Sequence, residues 1–420
     1  MTASLPRGSE IATAGGTRTD VVRQTAARLF EASGYAATTM NDIAEAVGIL
    51  PGSLYHHFRS KEDIAIDLLT ALGQALDALA TAASRRPVAA GPDAVVRLGA
   101  DVTALSFQHA AAVRLRAHEV PPTVSTERFV QAMRLPSPAL DRAWRAAVAA
   151  LPPPAADPGL LRFALQTVTV YAPAYYPTTM DPRAVAAHVC DILLHGLVRE
   201  CPDDEQLDSS TAAKAALDVF AGWPSRDRPA AANDREAIVA AARAEFARRG
   251  YEETTIRDIA NAAGVGMGTL YRRVESKEAL LREIIDGYGA RFDEAFRAVL
   301  GAGSSVPEAL DGLARVFVHI SRRFHEESRI VNYGWSRRQA ESSPLHGYFV
   351  ATEARFAQLE KLLRRGVRAG LLRSVAPPTE TALHLRSLLW LRYQDHARTS
   401  ESRALRFIRD SVLRGALSPR

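Results

Sequence analysis

Two eleven-residue phrases hold the side chains best suited to chemistry: GSLYHHFRSKE, from Gly52 to Glu62, and GTLYRRVESKE, from Gly268 to Glu278. Each carries a small hydroxyl (Ser53, Thr269), a phenol (Tyr55, Tyr271) and a lysine (Lys61, Lys277). Between them sit His56-His57 in one phrase and Arg272-Arg273 in the other. This is binding chemistry. Hydroxyls and ammonium groups hold phosphate oxygens, and arginine meets guanine edges or phosphates, which neutral histidine does weakly. The lysines are informative because the chain writes 48 arginines and only four lysines, Lys61, Lys214, Lys277 and Lys361. Two of the four occupy the same place in the two phrases, where an ammonium is expected to anchor a phosphate.

The phrases belong to a longer repeat with a period of 216 residues. Gly34 matches Gly250, Thr39 matches Thr255, Asp42 matches Asp258 and Gly48 matches Gly264, without a gap from Ala26 to Glu62. A period this long marks duplicated domains and not a solenoid. Each copy reads as three helices. The first, TDVVRQTAARLFEASG, places Val22, Ala26, Leu29 and Phe30 at helical spacing, with Asp20 as its expected cap and Gly34 as its stop. The second runs from an N-cap Thr39, with Asp42 in an imperfect capping box, to Gly48. The third, PGSLYHHF, starts on Pro51. It turns Leu54 and Phe58 inward and Ser53, Tyr55, His56 and His57 mostly outward. In the second copy Asn233 or Asp234 is the expected cap, and Arg257 replaces Asn41. Two short helices joined by a tight turn form a helix-turn-helix, whose second helix fits the major groove.

TTMNDIAEAVGILPGSLYHHFRSKE and TTIRDIANAAGVGMGTLYRRVESKE both resemble the N-terminal DNA-binding domain of TetR-family regulators. The resemblance covers about 45 residues in each half. It implies an all-α protein of two tandem units, each with a three-helix head and a helical ligand-binding and dimerisation domain. It also implies DNA contacts from Thr39, Asn41, Ser53, Tyr55, His56, His57 and Lys61, and from Thr255, Arg257, Thr269, Tyr271, Arg272, Arg273 and Lys277. The run GILPGSLYHHFRSKE, with the later YAPAYYP, is similar to actinobacterial members that govern sterol and fatty-acid catabolism. That likeness implies a small-molecule effector of the acyl-CoA thioester or lipid type.

The expected organisation is a tail over 1–17, a first head over 18–62 and a first ligand-binding domain over 63–202. A linker with a short helix over 203–232, a second head over 233–278 and a second ligand-binding domain over 279–420 follow. The remainder of each half reads as amphipathic helices broken by proline-rich loops such as LPPPAADPG. Aromatic residues mark where an effector pocket is expected: Phe107, Trp144, Phe163, Tyr171 and Tyr175 in the first half, Phe317, Tyr333, Trp335 and Trp390 in the second. The family likeness also implies a four-helix seam, drawing on Ala187, Leu193, Leu194 and Leu197 against Leu385, Leu388, Leu389 and Ile408.

Net charge is +5, unevenly spread. Residues 1–210 hold 18 basic against 22 acidic side chains, and residues 211–420 hold 34 against 25. The basic second half suits an anionic partner. Two cysteines, Cys190 and Cys201, build neither a disulfide framework nor a metal cage. No stretch approaches about 18 consecutive apolar residues, and the first residues lack a signal-peptide core. A cytoplasmic protein without membrane contact is expected. No phosphate loop, nucleophile elbow or pair of metal ligands on one helix face is evident, so no enzyme, cofactor or metal is expected.

Two different heads in one chain suggest an intramolecular pseudo-dimer on a two-part, non-identical operator. The linker permits it: PDDEQLDSS reads as loose, TAAKAALDVFAG as a short helix, and WPSRDRPAAAND as extended. A helix of about 12 residues covers roughly 18 Å, and about 20 loose residues reach up to roughly 65 Å. Covalent linkage would raise one half's effective concentration for the other to about the millimolar range. A second reading is a homodimer of tandem units with four heads. A third is a ligand-binding or interaction module whose heads no longer bind DNA.

Overall fold

The computed structural model describes residues 17–85, 91–119, 125–134, 137–153, 156–224, 234–335, 343–396 and 398–418. The first half comprises α1 (Arg18–Ser33), α2 (Met40–Val47), α3 (Pro51–Tyr55), α4 (Lys61–Arg85), α5 (Pro92–Gln108), α6 (Ala110–His118), α7 (Glu127–Met133), α8 (Pro138–Ala149), α9 (Pro158–Val170), α10 (Ala172–Tyr175) and α11 (Pro182–His195). Two connecting helices follow, α12 (Asp204–Ser209) and α13 (Thr211–Gly222). The second half comprises α14 (Asp234–Arg249), α15 (Ile256–Ala263), α16 (Met267–Arg273), α17 (Lys277–Gly301), α18 (Val306–Arg323), α19 (His325–Gly334), α20 (His346–Arg368), α21 (Pro378–Leu389) and α22 (Glu401–Ile408). A π-helical turn, Arg409–Leu413, extends α22. Among the described residues the protein is all-α, with one isolated antiparallel bridge between Val198 and Leu372. LQTVTVY, the most strand-like segment, lies in α9 and the turn after it.

Capping sets the helix starts. Thr17, not Asp20, caps α1: its hydroxyl accepts from the Asp20 amide, and the Asp20 carboxylate accepts in return. The short Asp42 also completes its box, accepting from the Thr39 amide at 2.7 Å, and Asp258 does the same for Thr255. Gly48 and Gly264 end α2 and α15 in the left-handed region. Of the two caps expected for α14, Asp234 is its first residue and Asn233 lies outside the described residues.

The connecting segment is less loose than its composition suggests. Asp203 and Gln206 form a reciprocal capping box on α12, and α13 packs on α17 and α18 through Ala212, Ala213, Ala216 and Phe220. Residues 225–233, most of the segment expected to be extended, lie outside the described residues. Arg409 in the π-helical turn donates to both oxygens of the fully buried Asp311 on α18, at 2.7 and 2.9 Å, and to Asp208 on α12 at 2.7 Å. These bonds raise the already high guanidinium pKa against the opposing effect of burial. By length and composition α4 resembles a membrane span, yet it packs along α5, α6, α7 and α8 with Ile64, Leu69, Leu72 and Leu76 buried.

The two halves meet along a seam built from their own helix ends. The Leu197 amide donates to Val412 O at 2.9 Å, and the Ala416 amide donates to Leu193 O at 3.0 Å. The Val198 amide donates to Leu413 O at 2.9 Å, and the Leu417 amide to Leu194 O at 2.9 Å. The two pairs exchange under one offset, Leu193 with Val412 and Leu197 with Ala416, which is the signature of a local twofold. Gly196 and Gly415 stand at the crossing with φ of 72° and 97°. A Cβ on Gly415 would lie 2.3 Å from the His195 carbonyl carbon, so only glycine fits there. Arg373 Nη2 donates to both carboxylate oxygens of Asp191, at 2.8 and 3.0 Å, and its Nη1 donates to the Gly196 carbonyl at 2.6 Å. Leu193, Leu194, Leu197, Leu385, Leu388, Leu389 and Ile408 are all buried, and Ala187 is half-buried.

Candidate nucleic-acid interface

Each head is a small core with one polar face. In the first, Val22, Ala26, Phe30, Ile43, Ala44, Val47, Leu54 and Phe58 are buried. Thr39, Asn41, Ser53, Tyr55 and His56 are exposed around α3. Tyr55 is 51% exposed and Tyr271 is 65% exposed, a poor setting for a phenol ring unless something else covers it. In the second head Thr255, Arg257, Tyr271, Arg272 and Arg273 are exposed, and Thr269 is half-buried.

The two recognition helices differ in length as well as in residues. α3 ends at Tyr55, one residue before the histidine pair, whereas α16 runs through Arg273. His56 caps α3, and His57 turns back, its Nδ1 lying 3.1 Å from the Thr19 hydroxyl on α1. Of the pair expected to face outward, only His56 is free to do so. Arg272 keeps within α16, donating to the Thr269 hydroxyl at 3.1 Å. The Arg273 carbonyl accepts from Arg235 on α14.

Lys61 and Lys277 have partners within the heads. The Lys61 ammonium donates to the carbonyls of Tyr35 (2.7 Å), Thr38 (2.8 Å) and Ala36 (3.3 Å). Lys277 repeats the cage with Tyr251 (2.9 Å), Thr254 (3.0 Å) and Glu252 (3.4 Å). Each ammonium also sits over its tyrosine ring, at 4.4 and 4.3 Å. An ammonium has three protons, and all three are directed inward. Burial pushes both lysines below their ordinary pKa. A phosphate at either lysine would have to compete with three carbonyls.

Two further features lie outside the contacts expected from sequence. Leu50, at the start of α3, is 77% exposed, and its counterpart in the repeat is Gly266. Gly52 and Gly268 occupy equivalent places on the outer faces of α3 and α16. Neither has a positive φ, and a Cβ on either would meet nothing within 4 Å. Nothing inside the fold requires glycine at these positions. The repetition of glycine at the two positions was the available signal.

The nine aromatic residues expected to line one pocket per half are dispersed. Phe292, Phe317 and Trp390 pack on one another with centroids 5.1–5.9 Å apart, Phe317 edge to face with both of the others. Trp335 packs on Phe349, Phe163 stacks on His396 at 4.6 Å, and Tyr175 meets His118. Phe107 and Tyr171 are half-buried, and Trp144 is fully buried. Only Tyr333 borders one of the cavities described, a cleft of about 270 Å³ that also touches Ala36, Glu252 and Glu253 of the two heads. A cavity of about 400 Å³ opens instead between α4, α5 and α8, lined by Ala80, Leu98, Ala143 and Ala147 among others. Alanine carries no periodic signal that separates a pocket wall from a packed helix face. On the same helices the Trp144 indole N–H and the Thr103 and Ser106 hydroxyls are buried without a hydrogen-bond partner.

The absence of paired metal ligands also needs correction. Glu380 and His384 lie one turn apart on α21, and His188 of α11 joins them.

The sequence family described as "Bacterial regulatory proteins, tetR family" matches the chain twice, over residues 22–68 and 238–284. The HTH-type transcriptional repressor KstR2 of Rhodococcus jostii (strain RHA1) is 41% identical over 128 residues, covering 30% of this chain and 60% of that protein. The HTH-type transcriptional repressor ComR of Escherichia coli (strain K12) is 30% identical over 166 residues, covering 39% of this chain and 78% of that protein. Among solved structures, the ketosteroid transcriptional regulator KstR2 of Mycobacterium tuberculosis is 22% identical with a TM-score of 0.38, over 42% of this chain and 89% of that one.

Proposed function

The chain belongs to the tetR family of bacterial regulatory proteins, and from that premise we propose that it is a DNA-binding transcriptional repressor. Its relatives are transcriptional regulators, and it is not an enzyme. The observation that carries the reading is the pair of bare recognition faces. Tyr55 and Tyr271 stand exposed beside Gly52 and Gly268, whose missing side chains leave open space in both heads. A duplex backbone is the partner that explains glycine at both places.

We infer further that the two units of one chain act as a pseudo-dimer on an operator with unlike half-sites. The reciprocal exchange of helix ends at Gly196 and Gly415 supports this, because a twofold contact made within one chain leaves no such surface for a second chain. The first head offers Leu50, Asn41 and His56, and the second offers Arg257, Arg272 and Arg273. Arginine pairs with guanine, asparagine with adenine, and an apolar side chain with the thymine methyl. The half-site under the second head is therefore expected to be the richer in G·C.

The effector is assigned to the cavity between α4, α5 and α8, lined mostly by alanines and Leu98 with Arg97, Asp101 and Arg142 among its polar positions. An apolar body with a few polar atoms, such as a lipid or sterol-derived acyl-CoA thioester, suits such a lining. α4 starts at Lys61 on the head and ends at the cavity, so a ligand that shifts α4 shifts the head. Coupling is mutual, so effector and operator oppose each other equally.

Operator footprinting with and without a panel of acyl-CoA thioesters tests the scheme. One chain protecting two unlike half-sites, released by a member of the panel, is the expected result. Two chains on a perfect palindrome would defeat the pseudo-dimer reading. An effector that left operator affinity unchanged would defeat the release mechanism.

A further inference from the structure

We propose that His188, Glu380 and His384 form a divalent transition-metal site, best matched to Zn²⁺, that pins the first unit to the second. The site lies where α11 meets α21. Glu380 and His384 are four residues apart, so both project from one face of α21. His188 reaches them from the other half of the chain. The ligand atoms of the three side chains lie within 4.8 Å of one another. The imidazole centroids of His188 and His384 are 5.4 Å apart, and His188 Nδ1 is 4.0 Å from Glu380 Oε2.

The hydrogen bonds around His384 run in one direction. The Ser387 hydroxyl donates to the His384 carbonyl at 2.8 Å, so it accepts from the Tyr176 hydroxyl, also at 2.8 Å. Tyr176 has then spent its proton and must accept from His384 Nδ1 at 3.0 Å. That places the imidazole proton on Nδ1 and leaves Nε2 a bare lone pair. His384 is 0% exposed, and its Nε2 is buried without a partner. His188 Nδ1 is likewise buried and unpartnered.

Two buried imidazole nitrogens without hydrogen-bond partners, close to each other and to a carboxylate, leave polar atoms unsatisfied. They make a good cation cradle. Imidazole nitrogen with one carboxylate selects zinc-like ions over Mg²⁺ and Ca²⁺, which prefer all-oxygen shells. The Tyr176–Ser387 relay is the outer shell that fixes a ligating histidine's tautomer and orientation. Tetrahedral ligation with bonds of about 2.1 Å puts donor atoms about 3.4 Å apart. Rotation of the half-exposed His188 and Glu380 side chains closes that difference. Tyr176 and His188 belong to the first unit, and Glu380, His384 and Ser387 belong to the second, so the ion would bridge both.

The test uses the full-length, untagged, EDTA-treated chain titrated with Co²⁺, followed by Zn²⁺ competition and thermal unfolding. One Co²⁺ per chain with visible ligand-field bands, displaced by Zn²⁺, is expected. A rise of several degrees in the unfolding midpoint with Zn²⁺ should accompany it. His188→Gln and Glu380→Gln alter partly exposed side chains and leave the buried relay intact. Each should weaken Co²⁺ binding about tenfold or more and remove the Zn²⁺-dependent midpoint shift. The proposal fails if the intact chain binds no ion, or if either variant binds as tightly as the parent.

Discussion

At the scale of single residues, the two lysines explain why a chain that otherwise writes arginine keeps an ammonium here. Three carbonyls converge on one point above a tyrosine ring, and a compact ammonium satisfies all three. A planar guanidinium does not. Lys61→Arg is therefore expected to cost about 1–3 kcal/mol, the price of leaving buried carbonyls unsatisfied, measured as a lower urea midpoint. Lys61→Ala should weaken operator binding without changing the slope of log K against log salt. A slope reduced by about one would restore the phosphate anchor expected from sequence. The sequence made the position conspicuous but not its role, because the acceptors are main-chain atoms of the loop beginning at Tyr35. Gly52 and Gly268 give an opposed pair of effects. Gly52→Ala together with Gly268→Ala should raise stability by about 0.4–1 kcal/mol per site through the unfolded chain. The same change should weaken operator affinity about tenfold or more, the scale of a lost specific contact. Unchanged affinity in a gel-shift titration would place the DNA backbone elsewhere.

At the scale of elements, the heads were the legible part. Thr39, Asp42 and Gly48 announce α2 by local rules, and the repeat doubles that signal in Thr255, Asp258 and Gly264. The end of α3 was not legible, because His57 leaves the outer face for a hydroxyl on α1, 38 positions away. The connecting segment misled for a similar reason. PDDEQLDSS reads as solvated charge, yet Asp208 receives guanidinium groups from both Arg315 and Arg409. The helix ends at the seam are tested by Gly415→Ala. The positive φ alone costs about 1–3 kcal/mol in a non-glycine residue, and the Cβ also strikes the His195 main chain. The expected outcome is a lower unfolding midpoint and faster proteolysis between the units, with the heads' own helices intact by circular dichroism.

At the scale of the whole molecule, the duplication implies two units but not how they meet. The contacts that join them, such as Leu197 with Val412 and Tyr176 with Ser387, pair residues some two hundred positions apart and have no local signature. The cavity proposed for the effector was hidden for another reason: its walls are mostly alanines, while the aromatic residues expected to mark a pocket fill cores and seams. The pseudo-dimer reading predicts light scattering at the 45.5 kDa of one chain, and an unfolding midpoint independent of protein concentration. A species of twice that mass, with a midpoint that rises with concentration, would favour the homodimer. The crossing of Gly196 and Gly415 has a hereditary consequence as well. In a homodimer one codon writes both glycines of such a crossing, and any change strikes the interface twice. Here two codons write them, so the seam is a larger mutational target and each glycine must be kept on its own account. On the proposed pseudo-dimer reading, the same uncoupling would let one head drift toward a new half-site while the other holds the old one.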